Sequence, residues 1–160
     1  MNLKALLLYF LVPFILLSQE DENEPYITFD KPDELIEVSS KKTIDKRFFQ
    51  NENGVTFACS KSRKIDSHEQ VKLISAMSLL VLKGSLNEFE LQEDDCDFKL
   101  NEHIYCGYIY TYKLDQEEII SYSFHTMIKG RLINFIFSCP ISLEETWSEI
   151  FLDIMLSVEW

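Results

Sequence analysis

The chain has 160 residues, a hydrophobic content of 46%, an aromatic content of 13% and a formal net charge of −12. Such a length and hydrophobicity suit one globular domain with a substantial core. The excess of carboxylates disfavours nucleic acid and anionic lipid surfaces as partners, because both repel it, and leaves basic proteins and cations open.

Lys4 precedes an apolar run from Ala5 to Leu17, and acidic residues from Glu20 to Glu24 follow at once. The run falls short of the ~20 residues a membrane span needs, so residues 1–19 read as an export signal, cleaved after Ser18 or Gln19. An uncleaved N-terminal anchor is the alternative, and no membrane contact is expected beyond this segment. No cysteine lies near the end of the run, which argues against a lipid anchor. The expected location is periplasmic or extracellular. Residues 20–32 form a flexible acidic lead-in with at most a short strand at Tyr26 to Phe29, and residues 33–160 form a single domain.

Leu35 to Val38 predicts a first strand. Lys41, Lys42, Lys46, Arg47, Lys61, Arg63 and Lys64 place half of the basic residues after the signal in one region, read as a solvated strand and loop edge. Asn53-Gly54 signals a turn, after which Val55, Phe57 and Cys59 alternate as an inward strand face. Asp66 with Glu69, or Ser67 with Gln70, can cap a short helix carrying Val71, Ile74 and Met77 inward. Leu79 to Leu82 is a short, uniformly apolar run and reads as a buried strand. Ser85 with Glu88 offers a capping box for a helix of about two turns holding Leu86, Phe89 and Leu91. His103 to Tyr112 is a strand rich in Tyr and Ile, and Lys113 to Glu118 is its polar turn into the C-terminal unit.

That unit is the most legible part of the chain. A two-residue loop at Lys129-Gly130, the kind whose positive φ angles suit Gly, pairs Phe124 with Phe135, Tyr122 with Phe137, Ile120 with Cys139 and Thr126 with Ile133. The opposite face pairs His125 with Asn134, Ser121 with Ser138 and Ser123 with Ile136, and a one-residue slip would mix the two sets. Ser142 and Glu145 form a second capping box, opening a helix whose stripe is Leu143, Trp147, Ile150, Phe151, Ile154 and Val158. The stripe is expected to pack on the aromatic face, leaving Ser121, Ser123, His125 and Asn134 as a wet face open to a partner. On this reading Trp147→Ala is severe, whereas Asn134→Ala costs about 1 kcal/mol or less.

The order of these segments resembles PsbP/DcrB-like domains: the Gly54-Val55-Thr56-Phe57 strand start, Leu86-Asn87-Glu88-Phe89, the Tyr105 to Tyr112 strand, the turn at Lys129-Gly130, the strand ending Phe137-Ser138-Cys139-Pro140, and the last helix into Ser157-Val158. The resemblance implies an α+β fold, an antiparallel sheet with helices on its faces. It also implies a family of mostly non-catalytic accessory, assembly and chaperone-like proteins.

Four cysteines in an exported domain predict two disulfides. Cys59 and Cys139 both end strands in phase with inward aromatics, which suits a bridge between neighbouring strands. Cys96 and Cys106 flank a short polar loop whose closure is worth about 2–3 kcal/mol on the loop-entropy account. As metal ligands or nucleophiles, Cys96, His103, Cys106, His125 and Cys139 lack any C-x-x-C or H-x-x-x-H spacing. Glu93, Asp94, Asp95 and Asp97 lack the spacing and turn Gly of a calcium loop, and read as a solvated acidic loop. No nucleotide-binding, dinucleotide or hydrolase motif is present, so neither a cofactor nor a catalytic residue is assigned. The leading functional reading is a non-enzymatic exported binding protein acting on a protein partner, in its narrower form an immunity or inhibitor protein against a basic toxin or enzyme. The alternative is a Cys/His-based enzyme or metal-binding protein of the cell envelope.

Overall fold

A computed structural model describes residues 27–38 and 46–159. The export signal, all of the lead-in before Ile27, and Lys41 and Lys42 lie outside the described residues. Among the described residues, seven antiparallel strands form one sheet: β1 (Ile36–Glu37), β2 (Lys46–Gln50), β3 (Thr56–Lys64), β4 (Asn87–Leu100), β5 (His103–Leu114), β6 (Glu117–Ile128) and β7 (Arg131–Pro140). Their order is β1-β2-β3-β7-β6-β5-β4. Helix α1 (His68–Ser85) carries the chain from the middle of the sheet to its far edge, and the β4 to β7 meander returns it to β3. A short 3-10 turn (Ile141–Leu143) leads into the last helix, α2 (Glu144–Leu156). The fold is α+β, an antiparallel sheet with a helix on each face.

The hairpin has the register its alternation predicts, from Ile120 opposite Cys139 to Thr126 opposite Ile133. Lys129 and Gly130 adopt φ of 48° and 72°, the doubly left-handed loop that matches strand twist. Phe135 and Phe137 are joined on the same face by Phe57 of β3, whose ring stacks on Phe137 at 4.6 Å, and by Phe49 of β2. Helix α2 closes this face with Trp147, Phe151, Ile154 and Met155. Its predicted capping box does not form: Leu143 is the N-cap and no side chain caps the helix. The 3-10 turn takes up the residues the box would use, and Glu144 instead accepts a hydrogen bond from the Tyr122 hydroxyl at 2.8 Å. Gly107 is where β5 passes under the Phe124 ring, since a Cβ there would collide with Phe124 Cδ1. No larger residue fits without moving that ring.

The N-terminal half departs from expectation in three places. Leu79–Leu82 is not a strand but the second half of α1, which runs unbroken for 18 residues. A short apolar run has no period of its own, and here it continues the helical repeat that buries Val71, Ser75 and Leu82. The predicted helix at Leu86 to Leu91 is the start of β4, because Leu91 pairs with Tyr110 and the Phe89 ring stacks on Tyr110 at 5.3 Å. The acidic loop around Cys96 is also strand: β4 is a 14-residue edge with three register shifts against β5. On the other edge, Arg47 sits between the rings of Phe29 (5.0 Å) and Phe49 (4.9 Å) and pairs with Glu37 at 3.1 Å. Part of the basic cluster thus holds the β1/β2 edge together instead of standing in solvent.

Candidate functional site

The polar face of the hairpin is not open. Helix α1 crosses β4, β5 and β6 on that side, and His125 is only 4% exposed. The imidazole Nδ1 donates to Asn134 Oδ1 at 2.6 Å, and Asn134 Nδ2 donates to Ser60 Oγ at 3.2 Å. Nε2 lies 3.4 Å from both the Tyr108 and Ser123 hydroxyls, positioned to accept. Ser121 and Ser138 share a 2.6 Å hydrogen bond. Tyr108, Tyr110 and Tyr112 alternate along β5 above this layer, with Ser78, Ser121, Ser123 and Ser138 in reach of their hydroxyls. Burial pushes the Tyr108 and Tyr112 hydroxyls up to about 12 and lowers His125 to about 4, the bond to Asn134 partly opposing the latter.

Ser121, Ser123, His125 and Asn134 are therefore brought together as predicted, but as a satisfied internal network and not a wet binding face. The expectation of an open surface there is corrected. Alternation placed these residues on one side of the sheet; the helix that covers that side is remote from them in sequence. Their polarity is accommodated because each side chain finds a partner, which is what buried polar groups require.

The cysteines divide. Cys96 and Cys106 are direct cross-strand partners in β4 and β5 and form a disulfide beneath Val71 and Ile74 of α1. The predicted Cys59–Cys139 bridge does not form; both are free, buried thiols. Each faces the α2 side as expected, but Cys59 pairs with Phe135, while Cys139 lies beyond Ser138, the partner of Thr56. Burial raises both thiols, Cys139 to about 12, so they stay protonated at neutral pH. A thiol reagent applied to the native protein should find no reactive thiol, and two should appear on unfolding without reductant. A thiol that titrates in the native state would instead support cysteine chemistry. Among the described residues, no three His, Cys, Asp or Glu side chains come together to hold a metal ion, and no helix is long and apolar enough to cross a membrane.

The remaining feature belongs to α1 as one unbroken helix. Its sheet-facing side holds Val71, Ser75 and Leu82, with Ser75 at 3% exposure. Its outer side carries Leu73 (61% exposed), Met77 (58%) and Leu80 (70%), with Val81 beside them. Met77, predicted inward, faces out. The spacing of four, three and one residues puts these side chains on one crest. A helix that buries Ser75 while exposing Leu73 and Leu80 leaves part of its apolar surface unused by the core. The signal was present in the sequence as a second stripe, visible only when the helical period is carried through Leu79–Leu82.

Beside α1 runs the β4 edge. Glu88, Glu90, Glu93, Asp94, Asp95 and Asp97 line it against a single lysine, Lys99. Asp97 is anchored to α1 through Lys72 (2.8 Å) and His68 (3.1 Å), and Glu88 pairs with Lys113. Both Lys72 and His68 favour the charged form of Asp97 and hold its carboxyl below the ordinary range. Glu90, Glu93, Asp94 and Asp95 have no basic partner among the described residues.

An antiparallel sheet of this order with a closing C-terminal helix defines the PsbP-like class of α+β folds. No protein-family model and no curated protein matches the sequence. Among solved structures, the chain is similar to cyanobacterial PsbP from Synechocystis, at TM-score 0.56 and 14% identity over 90% of this chain and 98% of that one. It is similar to LpqN of Mycobacterium tuberculosis, a protein involved in cell envelope biogenesis, at TM-score 0.60 and 12% identity over 86% and 84%. Protein PA94 of Pseudomonas aeruginosa, of unknown function, matches at TM-score 0.56 and 11% identity over 82% and 95%. At these identities the likeness is one of fold: the chain has a PsbP-like fold.

Proposed function

We propose that this chain is an exported, non-enzymatic accessory protein that acts by protein–protein contact through the outer face of α1. The observation that carries this reading is the apolar outer face of α1, with Leu80 at 70% exposure while Ser75 on the inner face is at 3%. The groups that could have carried chemistry serve the interior, His125 as a neutral hydrogen-bonded imidazole and Cys59 and Cys139 as protonated core thiols. The Cys96–Cys106 disulfide and the envelope role of one fold neighbour support an exported setting.

A narrower form, an immunity or inhibitor protein that neutralises a basic toxin or enzyme, draws on the net charge of −12, which would speed encounter with a basic cleft. The test is capture from an envelope extract with the wild-type protein and with Leu80→Ser. A protein retained stoichiometrically by the first and lost with the second supports the contact reading, and a basic secreted protein in that position supports the narrower one. If the same proteins are retained by both, or if a small molecule co-purifies and is turned over, the reading is wrong.

A further inference from the structure

We infer that α1 is an acid-released cover: a proton on His125 drives the helix off the sheet as a unit and uncovers the tyrosines of β5, while the α2 side stays folded. This goes beyond the contact reading above and does not depend on it.

The two faces of the sheet are held unequally. The α2 side is one continuous aromatic and aliphatic core. The α1 side is two separate, smaller clusters, Leu82 with Tyr108, Tyr110 and Tyr112, and Val71 with Ile65, Cys106 and Leu132. Between them α1 turns Ser75 and Ser78 to the sheet, above the layer of His125, Ser123 and Asn134. A helix of 18 residues that fully buries only Val71, Ser75 and Leu82 gives up little apolar burial on leaving. Its N-terminal end is fastened by Lys72 and His68 to Asp97, exposed pairs that add little. A segment with so few buried apolar contacts opens locally, below the cost of unfolding the whole domain. The strands beneath it have their own support: the β4 to β7 ladders, the Cys96–Cys106 bond and the core under α2.

His125 is the trigger because its surroundings are neutral. On β6 it meets Ser123; β5 presents Tyr108, whose phenol keeps its proton, and β7 presents Asn134, which leads on to Ser60 of β3. From α1 comes Ser78, by way of the Tyr108 hydroxyl, while Lys72 and His68 of that helix are turned to Asp97. Asp94 of β4 acts on Tyr108 from the rim, the Cys96 and Cys106 sulfurs are bonded to each other, and no carboxylate acts on His125 itself. Nδ1 already holds a proton against Asn134, so an added one goes to Nε2, on the Tyr108 side. An unpaired charge buried there is costly, and the cover that yields most easily to let water reach it is α1.

With His125 at about 4 under the helix and at its ordinary 6.5 when uncovered, opening is favoured about 20-fold more at pH 5 than at pH 7. Asp97, held below the ordinary carboxylate range, keeps its pairs with α1 through this interval, so the response belongs to the imidazole.

The test is residue-resolved hydrogen exchange on the intact, oxidised chain at pH 7 and pH 5, corrected for the intrinsic pH dependence of exchange. Interior amides of α1, from Ser75 to Leu82, should be protected about tenfold less, or weaker still, than those of β7 and α2 at both pH values. Their opening should rise by about 20-fold on going to pH 5. His125→Gln should abolish the rise, and Asn134→Asp, which sets a carboxylate beside the imidazole, should reduce it. Equal protection of α1 and α2 means that the domain opens only as a whole, and overturns the proposal. So does α1 opening that is indifferent to pH in the wild type, or a rise that persists in His125→Gln. The wild-type comparison decides even where a variant fails to fold, since it sets α1 against α2 and one pH against the other within a single chain.

Discussion

Replacing Trp147 by alanine should remove ~3–5 kcal/mol of stability, the range for deleting a buried aromatic when the site cannot fully collapse. Trp147 is 5% exposed and packs on Phe151 at 5.8 Å, and Phe151 lies against Phe137 at 4.5 Å. Through Phe137 these rings continue into the stacked Phe57 and Phe49, so the void would open in a layer held between the sheet and α2. Against a typical domain stability of ~5–15 kcal/mol, much of the folded population is at risk. The urea midpoint reports the effect, with Leu152→Ala as reference: Leu152 is in the same helix but exposed, and its loss should cost no more than about 0.5 kcal/mol. Equal midpoints for the two variants would mean that α2 does not close the core.

The second large effect is loss of stability in mild acid through His125. Burial lowers its folded-state pKa to about 4 from an ordinary value of 6.5. Between those values the unfolded chain binds the proton and the folded chain does not. Stability from this group is therefore complete above about pH 6.5 and is lost as pH falls towards 4. From pH 7 to pH 5 the loss from His125 alone is about 2 kcal/mol. The carboxylates add their own acid dependence, so the comparison is with His125→Gln, whose stability should fall less over the same interval by that amount. Parallel pH profiles would show that the imidazole is not held neutral inside the fold. Asn134→Ala belongs to the same network: it removes the acceptor of the His125 Nδ1 proton and the donor to Ser60, and should cost about 1–3 kcal/mol instead of the 1 kcal/mol or less of an open face.

Both effects concern the same hairpin, and they show how far alternation carries. Which residues of β6 and β7 share a side followed from Lys129-Gly130 and the period of two, and every predicted pair is present. What covers each side did not follow equally. The aromatic side predicted its own cover because α2 is the next element and its stripe is plain. The polar side gave no such pointer. Its serines, histidine and asparagine look like a solvent-facing set, and only the tyrosines of β5 and the serines of α1 make them an interior one.

The same limit explains the other departures. Cys96 and Cys106 are joined by a single hairpin turn, so their pairing is a local matter. Cys59 and Cys139 face the same core, yet whether they meet depends on the offset between β3 and β7, strands far apart in sequence. The β4 strand was illegible because its residues are mostly acidic and its three register shifts break alternation; it is a strand because β5 supplies its hydrogen bonds.

The sequence by itself determined the C-terminal unit, the inward face of β3, the existence of the β5 strand and the acidic character, because these rest on local periodicity, turn chemistry and composition, while the α+β class followed from the resemblance in segment order. Tertiary structure alone decided that α1 is one helix, that it seals the His125 face, and that Leu73 and Leu80 rather than the hairpin's polar residues meet solvent. The physical reason is that a side chain's periodic position fixes the direction it points relative to its neighbours, whereas its burial is fixed by whichever distant element crosses in front of it.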